Sequence, residues 1–260
     1  MKKTLTALAV AACAVVSGSA MASTWTASGT GGSVELGGIL TPKAVATPWE
    51  VRTGGSVTGL NAEITPGAKS VDIPVTASIP VLAIRTRSNL PFHGGEFIRP
   101  RINYGDAVNL SGFTNNTTTL TLDVLDGKSN KIGTLSTHFS AGAVASTKGE
   151  SVHQYALFAS DPGDAFYGGL SNKSGGVNVD ATPRLLTKLF PDIAEHYNQQ
   201  GATGFVGDAE EVHYNVEQTS YSGYYASGIE AGQLMRITFN SPIEQDITWR
   251  AILPATVTYL

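Results

Sequence analysis

The sequence predicts an all-β sandwich, and three observations carry that reading. The chain is rich in Gly, Thr, Ser and Val, with short apolar runs between turn residues. Leu120, Leu122 and Val124 alternate with Thr121 and Asp123, the period-two pattern of a strand with one buried face. Asp126-Gly127-Lys128-Ser129-Asn130 then leads into Ile132 and Leu135, which is a hairpin signal. Short strands at regular spacing favour a sandwich over βαβ units. Strands are expected near 34–40, 70–75, 81–86, 119–125, 131–136, 235–240 and 249–259.

One region breaks the pattern. Thr182-Pro183 reads as a helix N-cap followed by proline at the first helical position. Leu185, Leu186, Leu189 and Phe190 then fall on one helical face. Pro191-Asp192 could open a second short helix carrying Ile193, Ala194 and Tyr197. Residues 152–216 are therefore expected to be an insertion on the sandwich with one or two short α-helices. Tyr221, Tyr224 and Tyr225 form an aromatic cluster that reads equally as an exposed patch or a strand.

The first 22 residues are set apart. Met1-Lys2-Lys3 is positive, Leu5 to Val16 is almost continuously apolar, and Ala20-Met21-Ala22 is an A-x-A cleavage site. That is the pattern of a secretory signal peptide, too short in its apolar part to span a membrane. The only cysteine, Cys13, falls inside it, so an exported chain has no disulfide to lean on. Its stability must come from core burial or from a partner. Removing Lys2 and Lys3 with the signal leaves 15 basic against 21 acidic residues, which argues against nucleic acid as a partner.

The two ends of the remaining chain are unusual. Trp249, Ala251, Leu253, Ala255, Val257 and Tyr259 point one way on an extended strand, and the residues between them point the other. Near the start, a small Gly-rich leader at 28–32 precedes a second alternating segment. Gly32, Val34, Leu36, Gly38 and Leu40 share one face there. Apolar residues alternating with glycine suit a strand that slides into a groove on another molecule. Main-chain hydrogen bonds supply its affinity and pockets supply its register.

Several motifs carry a resemblance. They are Gly32-Ser33-Val34-Glu35-Leu36-Gly37-Gly38, Trp49-Glu50, Lys131-Ile132-Gly133, Ala156-Leu157-Phe158-Ala159, Phe166-Tyr167-Gly168-Gly169-Leu170 and the C-terminal Trp249 to Thr258-Tyr259. With them the chain resembles chaperone/usher fimbrial subunits, and more specifically the adhesive major-subunit family of enterotoxigenic bacteria, the FaeG-like group. The resemblance is weak through 86–112 and 173–207. It implies an incomplete immunoglobulin-like sandwich (residues 43–260) that lacks its last strand. The 23–42 segment would be the donor strand for a neighbouring subunit, with Val34, Leu36, Gly38 and Leu40 in the pockets. A periplasmic chaperone would first hold the subunit through Leu253, Val257 and Tyr259. An outer-membrane usher would then add it to a fibre at the cell surface.

The resemblance also implies adhesion to a host glycoconjugate. Phe158 matches an aromatic of the family's sugar site, whereas Gly163 stands in place of its arginine and Ser160 in place of an acid. Phe158, Ser160, Asp161, Phe166, Tyr167 and Lys188 are the candidate glycan contacts, since rings and hydrogen-bonding groups on loops are what a sugar needs. Phe158 and Phe166 also read simply as core residues. The alternatives are a purely structural or minor subunit, or a secreted β-sandwich enzyme.

Nothing asks for catalysis, a cofactor or a metal. His93, His138, His153, His196 and His213 lack metal-ligand spacing, and no H-E-x-x-H occurs. Gly29-Thr30-Gly31-Gly32 lacks the rest of a phosphate loop, and no G-x-S-x-G elbow follows the signal.

Overall fold

The computed structural model describes residues 46–260. The expected signal peptide, the strand expected at 34–40 and the candidate donor residues Val34, Leu36, Gly38 and Leu40 lie outside the described residues. Twelve strands and one α-helix follow in order. β1 is Trp49–Thr53, β2 Ser70–Pro74, β3 Ile79–Thr86, β4 Phe92–His93, β5 Pro100–Asn103, β6 Thr117–Asp126, β7 Lys131–Lys148 and β8 Val152–Ala156. The helix α1 is Thr182–Leu189, and β9 is Ser220–Ile229, β10 Leu234–Phe239, β11 Trp249–Ala251 and β12 Thr256–Tyr259. The pairings are antiparallel throughout, and the fold is an all-β sandwich.

The main sheet runs β1-β3-β9-β7-β10-β2, with β6 and β8 also on β7, β11 on β6 and β4 on β9. β5 and β12 form a separate pair. The spine is β7, whose 18 residues serve two neighbourhoods. Its first half lies between β6 and β10, and its second half between β8 and β9.

The burial of β7 changes along its length for a physical reason. Leu135, Thr137 and Phe139 are buried while Ser136 and His138 are exposed, so one face meets the core and one meets water. From Ser140 to Ser146 every residue is buried. There α1 covers the outer face, and a β-carbon on Gly142 would lie 3.0 Å from the Thr182 methyl. Leu185, Leu186, Leu189, Phe190 and Ile193 pack there with Val144, Tyr224 and Ala226 as a second apolar cluster.

Asp126 closes the β6–β7 hairpin. Its carboxylate accepts the amides of Lys128 and Asn130, each at 2.8 Å, so one side chain satisfies the turn. The expected strands at 70–75, 81–86, 119–125 and 235–240 are present within a residue or two. That expected at 131–136 is only the first third of β7.

Three expectations need correction. Thr182 is inside the helix rather than capping it: Ala181 is the N-cap, and Asn178 Oδ1 accepts the Ala181 amide at 3.1 Å. The Thr182 hydroxyl instead donates to the Asn178 carbonyl and accepts from the Asn116 amide. Residues 191–197 form successive turns, not a second helix. The Asp192 carbonyl receives the Arg85 guanidinium at 2.5 Å and the Glu195 amide at 3.2 Å, so it closes three-residue turns instead of a helical ladder. The C-terminal strand is two strands, interrupted at 252–255. Pro254 has no amide to give a ladder, and the chain changes partner from β6 to β5 across it.

Candidate functional site

The C-terminal segment keeps its alternation through the interruption. Trp249, Ala251, Leu253, Ala255, Val257 and Tyr259 face inward, and the residues between them face water. Yet all six inward residues are only half-buried. An inward apolar face that stays half-open lacks a cover among the described residues.

A groove of about 1410 Å³ lies over that face. Its floor is apolar and mostly aliphatic: Ile73 of β2, Leu120 of β6, Leu135 of β7, Ile229 of β9 and Met235 of β10, with Phe239 of β10 as the one ring. One wall is the run from Ile243 to Ala255, including Trp249, Ala251 and Leu253. The other is the irregular stretch after β1, from Thr53 to Pro66, where Leu60 and Ile64 lean on the core. Small-molecule sites usually measure roughly 300–1,000 Å³ and carry converging polar groups. This groove is larger and aliphatic, and its long walls suit an extended peptide.

The backbone of the walls points the same way. β11 pairs with β6 on one side only. Among the described residues, no backbone hydrogen bond involves the amides or carbonyls of 55–64 or 244–248. An unpaired strand edge beside an apolar floor is what an added strand satisfies, ladder and pockets together. Leu253, Val257 and Tyr259 thus lie on one half-open face, with Leu253 in the groove wall.

The sugar-contact candidates are distributed differently. Leu157 bridges to Glu210, and the Phe158 amide donates to the Glu210 carbonyl at 3.2 Å, leaving the Phe158 ring half-buried. Ser160 and Asp161 are exposed on the next turn, where the Ser160 hydroxyl donates to the Glu211 carboxylate. Phe166 does not join them at the surface. It is 0% exposed, stacked on Tyr225 at 5.5 Å and set edge-on to Trp49 at 5.6 Å. Its place is in the core, where the simpler reading of the sequence puts it. Tyr167 is half-buried beneath the Arg101 guanidinium, 5.4 Å from the ring centre. Lys188 stands apart on α1 and pairs with Glu230 of the β9–β10 turn at 3.5 Å.

Two residues the sequence did not single out join this surface. Arg99 donates from Nη1 to the Gly163 carbonyl at 3.1 Å. His213 Nδ1 lies 3.1 Å from Asp164 Oδ1 and 3.4 Å from the same carbonyl. Burial pushes the Asp164 carboxyl above the usual carboxylate range. The nearby Glu211 charge adds to that, and the hydrogen bond from the Asp161 amide and His213 oppose it. The three tyrosines at 221, 224 and 225 are buried in β9, not an exposed patch. Among the described residues, no group of three His, Cys, Asp or Glu side chains is placed to hold a metal ion.

Comparison with known proteins places the chain in a family. A family model described as fimbrial, major and minor subunit, matches residues 1–260. The K88 fimbrial protein AC of Escherichia coli is 32% identical over 291 aligned positions, covering 100% of both chains. The K88 fimbrial protein AB is 30% identical and the F41 fimbrial protein 28% identical, each again over the whole of both chains. The chain belongs to the K88 family of fimbrial major and minor subunits.

Proposed function

We propose that this fimbrial subunit is polymerised by strand donation through the chaperone/usher route, and that the fibre it builds binds host glycans. Fimbrial subunits are structural proteins of surface fibres, not enzymes. The observation that carries the assembly reading is the aliphatic groove with unpaired walls. The 32–40 segment has the matching chemistry. Val34, Leu36 and Leu40 are apolar at alternate positions, and Gly32 and Gly38 allow close backbone approach.

The scheme places the neighbour's 32–40 segment along the Trp249–Ala251 edge and over Ile73, Leu120 and Met235. Burying three aliphatic side chains contributes roughly 1.5–3 kcal/mol each. That is how a chain without a disulfide after its signal segment holds a fibre together. Before donation, a periplasmic chaperone covers the groove and pairs with the segment bearing Leu253, Val257 and Tyr259, and an outer-membrane usher then exchanges one cover for the other. Among the described residues no helix is long and apolar enough to cross a membrane.

The test is deletion of residues 23–40. The variant is expected to fold with its chaperone and to accept a donor strand but give none, so no fibres form. Fibres assembled from the deletion variant would overturn strand donation. Adhesion rests on the half-buried rings of Phe158 and Tyr167 and the exposed Ser160 and Asp161 beside them. A glycan array probed with the protein carrying an extra copy of 23–40 after Leu260 tests it. A well-folded protein that binds no glycan would leave a purely structural subunit as the reading.

A further inference from the structure

The described chain enters the sandwich at one pole, and its first residues are tied there. The Pro48 carbonyl accepts the Arg87 amide at 2.9 Å, and Trp49 Nε1 donates to the Ile98 carbonyl at 2.5 Å. Arg99 in turn exchanges backbone bonds with Leu260, at 3.2 and 3.1 Å. The 94–99 loop and the C-terminus therefore lie beside the point where the chain enters.

That pole is apolar where it meets water. Phe97, next to Ile98, is 55% exposed, and Leu90, three residues after Arg87, is 75% exposed. Leu260 itself is exposed. So is Val216, whose carbonyl oxygen would lie 2.4 Å from a β-carbon on Gly94 of the same loop. These are four of the nine most exposed large apolar side chains among the described residues, so they are gathered rather than scattered. Gathered apolar groups mark a contact surface, whereas single ones need no explanation.

Chain length says what covers the pole. Leu40 ends the candidate donor segment and Ala46 opens the described chain, six Cα steps later. Six steps span at most about 22 Å. A donor segment seated in a neighbour's groove therefore holds that neighbour within about 22 Å of Ala46, against the Phe97 pole. The neighbour presents a different surface to it. Two identical poles meeting face to face would be related by a two-fold axis and would close as a dimer, whereas a fibre that keeps growing needs a heterologous contact.

The groove wall leads to that second surface. Tyr259 pairs with Pro100 at the Phe97 pole, and Trp249, ten residues earlier, pairs with Asp126 at the β6–β7 hairpin. Ten residues of extended chain cover roughly 30 Å, so the wall starts at the opposite pole. The Gly67 amide on the Ile243 carbonyl brings the other wall to the same place. There Ile247 lines the groove and is 39% exposed.

We infer that in the fibre the pole bearing Leu90, Phe97 and Leu260 docks on the far end of a second copy's groove, around Ile247, so that each junction is an end-to-end apolar contact as well as a donated strand. A linker of five residues, 41–45, would by itself leave successive subunits free to swivel. The apolar seat fixes their angle. This inference rests on the strand-donation reading above and says where the donor's body comes to rest.

The experiment uses assembled fibres of the full-length protein. Cys13 is the only natural cysteine and falls in the expected signal peptide, so new cysteines report alone. Fibres carrying Phe97→Cys with Ile247→Cys, or Leu260→Cys with Ile247→Cys, are treated with a short bismaleimide, dissociated by heat in detergent and sized on a gel. Both pairs are expected to give ladders of covalent multimers that hold most of the subunit. Phe97→Cys alone, and Phe97→Cys with Leu234→Cys on the sheet edge at β10, are expected to run as monomers. Fibres that form with both Ile247 pairs and give no ladder would overturn the docking surface and leave strand donation standing. Dimers from Phe97→Cys alone would mean that identical poles meet, and a ladder from the Leu234 pair would place the neighbour on the sheet edge; either would overturn it. If Phe97→Cys does not assemble, the Leu260 pair decides in the same way. Fibres that form and ladder without residues 23–40 would overturn strand donation itself, and with it the reach that brings the poles together.

Discussion

The two ends of the core are built from different materials. At one end, Trp49, Phe92, Phe166, Tyr214, Tyr221 and Tyr225 pack ring against ring, with neighbouring centroids 5.1–6.3 Å apart. Tyr104 continues this end, its hydroxyl bonded to Tyr225 at 2.9 Å and to Ser227 at 2.6 Å. At the other end, Ile73, Leu120, Leu135, Ile229 and Met235 floor a groove whose wall residues Trp249, Ala251, Leu253 and Ala255 are half-open. Both belong to one contiguous core. The aromatic end is finished by loops of the same chain, with Phe166 and Tyr214 arriving from the long connection between β8 and β9. The aliphatic end has no such cover among the described residues. Loops can supply large single rings, but only a strand can satisfy an open strand edge and an aliphatic floor together.

The largest effect should come from supplying that strand. A copy of residues 23–40 fused after Leu260 is expected to raise the denaturant midpoint clearly, because three buried aliphatic side chains and a completed strand ladder together outweigh the ordering of the segment. The same fusion with Val34, Leu36 and Leu40 changed to Asp is expected to raise it little. Denaturant midpoints of the two fusions and the parent decide it. Equal midpoints for both fusions would mean that the groove does not take this segment.

The aromatic end should fail by truncation. Phe166→Ala removes a ring packed on three neighbours and leaves a cavity, at about 3–5 kcal/mol. The loss should appear as a lower unfolding midpoint in the strand-complemented protein. A loss under 1 kcal/mol would mean the ring is not the keystone its packing suggests.

Next in size is the C-terminal wall. Val257→Ala with Tyr259→Ala trims two half-buried residues of β12, and burial raises the Tyr259 hydroxyl pKa above the usual tyrosine range. Little intrinsic stability should be lost, because the pair is not enclosed. The periplasmic yield of chaperone-bound subunit should fall severalfold instead. Unchanged yield would show that β12 is an ordinary closing strand of β5.

This contrast also explains what the sequence disclosed. Strands with one wet face, such as β2, β6 and β10, announce themselves by alternation. The inward face of the groove wall was legible for the same reason, at Trp249, Ala251, Leu253 and Ala255. β9 was not, because both of its faces are covered and its small residues Ser222, Gly223, Ser227 and Gly228 break no period. Gly223 and Gly228 are required there by close approach: a β-carbon would meet the Tyr214 hydroxyl at 2.7 Å and the Ile79 carbonyl at 2.5 Å. The second groove wall, 53–66, carries no pattern because it forms no strand. The meeting of Arg99 with the 160–164 turn was hidden by topology. Nothing local places residue 99 beside 163; the Arg99 guanidinium on the Gly163 carbonyl and the Phe166 amide on the Pro100 carbonyl bring the two stretches together.

The smallest effect concerns the 160–164 turn and distinguishes it from both ends of the core. Asp164 is buried with a raised pKa, caused first by desolvation and then by the Glu211 charge, while the Asp161 amide and His213 pull it down. A carboxyl whose folded pKa lies above its unfolded value binds its proton more tightly in the folded state. Stability is therefore fully present below the unfolded value near 3.8 and is reduced as pH rises through the folded value. Asp164→Asn keeps an oxygen for the Asp161 amide and removes the buried charge. At pH 7 the variant should equal or slightly exceed the wild type in stability, and the difference should vanish below about pH 4, where the wild-type carboxyl is protonated too. Unfolding curves of the pair across pH 3.5–7 measure it. A variant less stable at pH 7 than at pH 4, relative to wild type, would mean that the His213 pairing outweighs desolvation and that Asp164 is a stabilising anion of the turn.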